Sequence, residues 1–133
     1  MTDNSAFVRS LYDAFGRGDV QTIIDNVDPA IEWVSHISGE TIPWGGKRSG
    51  RAGVASFFQA LGDNLDFEAF EPRQFLDSGD ALTVLGRTRA RFKGNGRGTF
   101  DSEWVHIFMI RDGKVAHFQE YYDTAAIERA LAA

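Results

Sequence analysis

Phe100 to Asp123 reads as two long strands folded over Asp112-Gly113. No other stretch constrains the chain as much: an Asp-Gly pair between alternating apolar runs marks a tight hairpin, because both turn residues tolerate the positive φ that a type I′ turn needs. With two residues in the turn, Arg111 faces Lys114, and counting outward Ile107 meets Phe118, Val105 meets Glu120 and Glu103 meets Tyr122. Side chains alternate between the faces of a sheet, so this register places Glu103, Val105, Ile107, Phe118, Glu120 and Tyr122 on one side. Trp104, His106, Phe108, His117 and Tyr121 fall on the other. Both rows carry large apolar residues, and neither face can be wholly solvated. One covers the chain's own interior; the other is covered by something else.

At 133 residues the chain has the size of one domain, read as spanning 1–133, and is expected to bury roughly two-thirds of its extended surface on folding. Hydrophobic residues at 43% and charged residues at 25% are ordinary for a globular protein, and no run approaches the ~18 apolar residues of a membrane span. The opening Met1-Thr2-Asp3-Asn4-Ser5 lacks the basic and apolar regions of a secretory signal, so the expected location is the cytoplasm. The absence of cysteine removes disulfides, thiolate nucleophiles and thiolate metal sites, and fits a reducing compartment. A net charge of −5 argues against a nucleic-acid partner. An aromatic content of 13%, with eleven Phe, points to a large apolar interior with room for a ligand.

Asp3, Asn4 or Ser5 can cap a first helix with Phe7, Leu11 and Phe15 on one stripe, stopped by Gly16 and Gly18. Asp19 can cap a second, with Val20, Ile23, Ile24 and Val27 at helical spacing, ending before Asp28-Pro29. A short strand, Ile31 to Ser35, runs into a turn-rich loop from His36 to Ser49 that holds Trp44, and loops this long are often functional. A third helix from about Gly50 aligns Val54, Phe57, Phe58 and Leu61. Beyond Gly62 the period changes to two: a strand interrupted at Pro72, a strand from Ala81 to Phe92 with Arg87, Arg89 and Arg91 on its solvated row, and the hairpin. Gly94 to Gly98 reads as a hairpin loop and not a phosphate cradle, since no helix follows it. A last helix runs from Ala125 to Leu131. The order is ααβαββββα, an α+β arrangement in which one curved antiparallel sheet wraps around the N-terminal helices as a cone.

Several stretches carry a family resemblance: Phe7 to Asp19 ending in Gly-Asp, Asp28-Pro29-Ala30-Ile31-Glu32-Trp33, Gly50 to Phe58, and His106 to Asp123 with Asp-Gly-Lys-Val. In this order and spacing they resemble the SnoaL-like branch of the NTF2-like superfamily, which includes ketosteroid isomerases, limonene epoxide hydrolases, scytalone dehydratases and polyketide cyclases. The resemblance implies a conical α+β fold with a deep pocket and a homodimer formed through the outer face of the sheet. Aligned with the steroid isomerases, the carboxylate base falls on Trp33, the oxyanion-binding tyrosine on Leu11, its supporting tyrosine on Phe58 and the protonated acid on Val105. Proton abstraction and enolate stabilisation by that route have no group where they need one. The Asp-Arg-Asp set of the epoxide hydrolases is not reproduced either, because no aspartate follows Asp80 on the arginine-bearing strand. The position matching Val105 faces the pocket in that family. The row Glu103, Val105, Ile107, Phe118, Glu120 and Tyr122 is therefore expected to be concave, leaving Trp104, His106, Phe108 and Tyr121 for a dimer interface.

Glu120 and Tyr122 are the candidate catalytic residues. An apolar lining raises a carboxyl pKa and makes Glu120 a usable acid or base, and a phenol can donate to a ligand carbonyl. The plainer readings are an arginine ion pair for Glu120 and an aromatic lid or core role for Tyr122. Leu11, Phe15, Trp33, Trp44, Phe58, Glu103, Val105, Ile107 and Phe118 are the expected ligand contacts. Three scattered histidines give no metal site, and no motif calls for a cofactor. Asp123, before Thr124-Ala125-Ala126, reads as a helix cap, with a pocket acid as the alternative. The expected function is binding of a small hydrophobic carbonyl compound, with cofactor-free isomerisation, cyclisation or dehydration by proton transfer; the alternative is a non-catalytic binding or association domain.

Overall fold

A computed structural model describes residues 4–94 and 98–132. The elements are α1 (Asn4–Gly16), α2 (Val20–Asp25), β1 (Val27–Ser35), β2 (Gly46–Ser49), α3 (Gly50–Asn64), β3 (Leu65–Asp77), β4 (Ala81–Phe92), β5 (Thr99–Arg111), β6 (Lys114–Tyr122) and α4 (Thr124–Ala132). The strands form one curved sheet in the order β2-β1-β6-β5-β4-β3. The α+β architecture is as expected, with two corrections. The end of the His36–Ser49 loop forms β2, a short edge strand paired antiparallel with β1, so the order is ααββαββββα. The sheet is mixed, because β1 runs parallel to β6. Asp3, one of three cap candidates for α1, and the centre of the Gly94–Gly98 loop lie outside the described residues.

Helical periodicity places the core as the sequence suggests, with small rotations. In α1 the buried stripe is Val8, Leu11 and Ala14, so that Phe7, Tyr12 and Phe15 flank it half-buried. Asp19 caps α2, its Oδ1 accepting from the Thr22 amide at 3.1 Å. Asp123 caps α4 in the same way, its Oδ1 accepting from the Ala126 amide at 3.0 Å, which settles its role as a cap. Val54 and Phe57 of α3 are buried against β1. Pro72 does not end β3. That strand is the sheet edge, where a missing N–H is tolerated, and bulges between Phe67 and Ala69 and between Pro72 and Gln74 absorb the disruption. The arginine row of β4 is solvated and paired: Arg87 with Asp101 and Glu71, Arg89 with Glu68, and Arg91 with Asp66.

One feature of the hairpin decides which residues point inward. Arg111 pairs with Lys114 and Ile110 with Val115, as a two-residue turn requires, but Met109 pairs with His117. Ala116 is an extra residue, a β-bulge. Past it the register is Phe108 with Phe118, His106 with Glu120 and Trp104 with Tyr122. A slip of one residue moves a strand's side chains to the opposite face relative to its partner. Trp104, His106 and Phe108 are consequently buried inside with Phe118 and Glu120, beside the half-buried Tyr122, while Glu103, Val105 and Ile107 lie on the outer face.

Trp104 lies over Gly86, its cross-strand partner on β4. A Cβ at Gly86 would stand 2.7 Å from the Glu71 carbonyl oxygen and closer still to the indole ring. Gly86→Ala is expected to lower stability by about 2–3 kcal/mol, since overfilling a packed interior forces side chains off their rotamers. Urea unfolding checks this; a loss below about 0.5 kcal/mol would mean that Trp104 does not occupy the space over residue 86.

Candidate functional site

The concave side of the sheet, α1 and α3 enclose a cavity of about 110 Å³. Its walls are largely apolar, and more than half of the lining residues are aromatic. Trp33 of β1 stacks on Phe118 of β6 with ring centroids 4.0 Å apart, and Trp104 stacks on His106 at 3.8 Å with 14° between the planes. All three tryptophans of the chain, Trp33, Trp44 and Trp104, line the space.

The polar groups meet at Glu120. Parallel pairing of β1 with β6 sets Ser35 opposite Glu120, and the Ser35 hydroxyl donates to Glu120 Oε1 at 2.9 Å. Antiparallel pairing with β5 sets His106 on the other side, its Nε2 lying 3.4 Å from Glu120 Oε2. Tyr12 of α1 reaches across the cavity, its hydroxyl 2.8 Å from His106 Nδ1. Tyr122 shares a hydrogen bond with Ser35, and the Trp44 indole donates to the Tyr122 oxygen. Taking the Tyr12 hydroxyl as donor to Nδ1 leaves the proton of neutral His106 on Nε2, facing the carboxylate. Two chains of groups, Tyr12–His106 and Trp44–Tyr122–Ser35, then direct their protons toward one buried carboxylate.

Burial, seconded by the Glu120 charge, holds the Tyr12 phenol well above its ordinary pKa. The same two causes raise Tyr122, against a smaller lowering by its hydrogen bonds with Ser35 and Trp44. Both phenols therefore remain neutral hydrogen-bond donors throughout the physiological range. The Trp33 indole nitrogen is buried and has no acceptor among the described residues.

Of the residues singled out from sequence, Leu11, Phe15, Trp33, Trp44, Phe58, Phe118, Glu120 and Tyr122 line this cavity. Glu103, Val105 and Ile107 do not; the Ala116 bulge turns them outward. For the same reason Trp104, His106 and Phe108, assigned from sequence to a dimer interface, line the cavity instead, and Tyr121 alone of that set is on the outside, 44% exposed. The partner of Glu120 is a histidine and a serine, not an arginine. Tyr12 and Ser35 were missed. Tyr12 stands one residue from Leu11, the position compared with the isomerase tyrosine, and the helix rotation that brings it to the cavity edge leaves no mark in an i, i+4 count. His36 lies outside, stacked on Tyr121 at 4.1 Å. Among the described residues no group of three or more His, Asp or Glu is placed to hold a metal ion, and no helix is long and apolar enough to cross a membrane.

A family model of the SnoaL-like domain matches residues 8–118. The chain belongs to the SnoaL-like domain family. Solved structures agree on the shape of this SnoaL-like domain. An NTF2-like protein of unknown function from Burkholderia pseudomallei is 27% identical over 100% of both chains, with a TM-score of 0.88. An NTF2-like protein from Burkholderia xenovorans is 30% identical over 96% of this chain and 95% of its own, with a TM-score of 0.85. TerC, co-crystallised with polyporic acid, is 26% identical over 98% of each chain, with a TM-score of 0.84. No curated protein matches the chain by sequence.

Proposed function

We propose that the chain, acting over residues 1–133 as one SnoaL-like domain, binds a small, largely apolar, carbonyl-bearing molecule and moves a proton on it without a cofactor. The observation that carries this reading is Glu120, a carboxylate only 8% exposed in an aromatic cavity, with Ser35 and His106 holding its two oxygens. A carboxylate so fixed and so poorly hydrated can take a proton from carbon next to a carbonyl. The C–H proton passes to Glu120, the electron pair moves onto the carbonyl oxygen as an enolate, and the Tyr122 hydroxyl turns its proton from Ser35 to donate to that oxygen. His106 positions the carboxylate. Return of the proton to another carbon is isomerisation; attack of the enolate on a second carbonyl of the same molecule is cyclisation; expulsion of a β-hydroxyl, protonated by Glu120, is dehydration. An acceptor on the ligand also gives the Trp33 N–H the partner it lacks, whose absence in a buried place costs about 1–3 kcal/mol. Crystallisation of the relative TerC with polyporic acid supports small-molecule binding on this fold.

The second reading, binding without chemistry, is favoured by one observation. Both Glu120 oxygens and both His106 ring nitrogens already have partners within the chain, as in a purely structural network. The proposed assembly is a homodimer through the outer face of the sheet, where Met109 and Tyr121 are 38% and 44% exposed. Native mass spectrometry tests ligand and assembly together. The expected spectrum shows twice the 14.8 kDa chain mass, with one small neutral molecule retained per chain after exposure to an aromatic ketone library. A bare monomer under all those conditions would defeat both parts.

A further inference from the structure

The 110 Å³ cavity is too small for the ligand it is proposed to hold. It has room for one compact group, whereas sites for drug-sized molecules run from about 300 to 1,000 Å³. The rest of the room lies outside. A groove of about 1010 Å³ runs between α1, the end of α3 and β3, and it shares Tyr12, Phe15, Phe58, Leu61, Phe67 and Phe70 with the cavity as a common wall. Tyr12 thus borders both spaces while its hydroxyl holds His106. The charges along the groove are largely engaged: Arg17 pairs with Asp19, Glu68 with Arg89, and the Arg9 guanidinium lies 3.9 Å over the Phe75 ring. Its inner wall is apolar, and among the described residues it offers no cluster of free cations or carboxylates to an ionic ligand.

We infer that the groove is the outer half of the binding site and that the natural ligand has two parts: a compact oxygen-bearing ring that fills the inner cavity, and a neutral, extended apolar arm that lies between α1 and β3. This rests on the reading of the inner cavity given above and adds the ligand class. Two glycines make it testable without disturbing the fold. Gly16 and Gly62 face the groove, have ordinary negative φ, and a Cβ built on either meets nothing within 4 Å. Glutamate at either position sets a charge in the arm's path from a Cβ that meets nothing else in the chain.

The experiment is titration with phenyl ketones of increasing alkyl length, from acetophenone to decanophenone, read by quenching of the three cavity tryptophans. In the natural sequence Kd is expected to fall about fourfold with each added methylene, the value of burying a CH2 group. In Gly16→Glu/Gly62→Glu, acetophenone is expected to bind as before, while decanophenone loses its advantage. Quenching by acetophenone with Kd flat along the series would overturn the arm and leave the inner site standing. A chain-length dependence that persists unchanged in the double variant would also overturn it. If no ketone quenches at all, the inner-site reading fails and takes this inference with it.

Discussion

Above pH 10 the fold is expected to lose about 2.7 kcal/mol of stability with each further pH unit, the sum of two phenols at about 1.4 kcal/mol each. Tyr12 and Tyr122 both have pKa values raised in the folded state, chiefly by burial and then by the nearby Glu120 charge. In the unfolded chain each ionises near pH 10. Between that value and their folded pKa values, the unfolded state releases two protons that the folded state keeps. The sign follows: the contribution is fully present below about pH 10 and is lost as pH rises toward the folded values. Urea unfolding at pH 9, 10 and 11 checks the slope, and Tyr12→Phe should halve it. Phenolate absorbance near 295 nm is expected to rise for the two cavity tyrosines together with the loss of far-ultraviolet circular dichroism. Their titration near pH 10 in a chain that is still folded would show that burial does not hold them neutral.

The same residues explain how much of this molecule can be read from its sequence. Helices and strands were legible because their apolar periods differ, and the Asp112-Gly113 turn was legible because its backbone needs unusual φ; Asp112 has φ 52° and Gly113 72°. The Ala116 bulge was not. A bulge has no residue signature when the flanking rows are both apolar, and β5 offers Trp104, Phe108 and Ile110 on one row against Val105, Ile107 and Met109 on the other. Matching Val105 to an inward-facing position of the family therefore puts β5 on the wrong face, and counting across the turn without the bulge then puts β6 on the correct one. Glu120 and Tyr122 are found because the two errors cancel on β6. His106, which depends on the β5 register, was assigned to the surface, and Ser35 was overlooked because only the parallel β1–β6 pairing brings it to Glu120. One local hint existed: Gly86 on β4 is the kind of residue that a large ring displaces, and only an inward Trp104 supplies that ring.

Two substitutions at Glu120 are expected to separate holding the site together from performing chemistry in it. Glu120→Ala removes the acceptor of the Ser35 hydroxyl and of His106 Nε2–H and leaves a hole among aromatic rings, so stability should fall by about 3 kcal/mol. Glu120→Gln preserves the shape. Its amide oxygen can accept from Ser35, and its NH2 can donate to His106 if the ring moves its proton to Nδ1 and donates to the Tyr12 oxygen, reversing the roles in that bond. The cost should then be only about 1 kcal/mol, with Trp quenching by a bound ketone preserved. What the amide cannot do is take a proton from carbon. If the chain is an enzyme, its turnover on any substrate found should drop at least about a hundredfold in Glu120→Gln, the usual contribution of a positioned general base, while binding changes little. Hydrogen–deuterium exchange at the ketone α-carbon, followed by NMR with the natural protein and the Glu120→Gln variant side by side, measures that step directly. Equal exchange rates would assign Glu120 to the structural network alone and leave ligand binding as the role of the cavity.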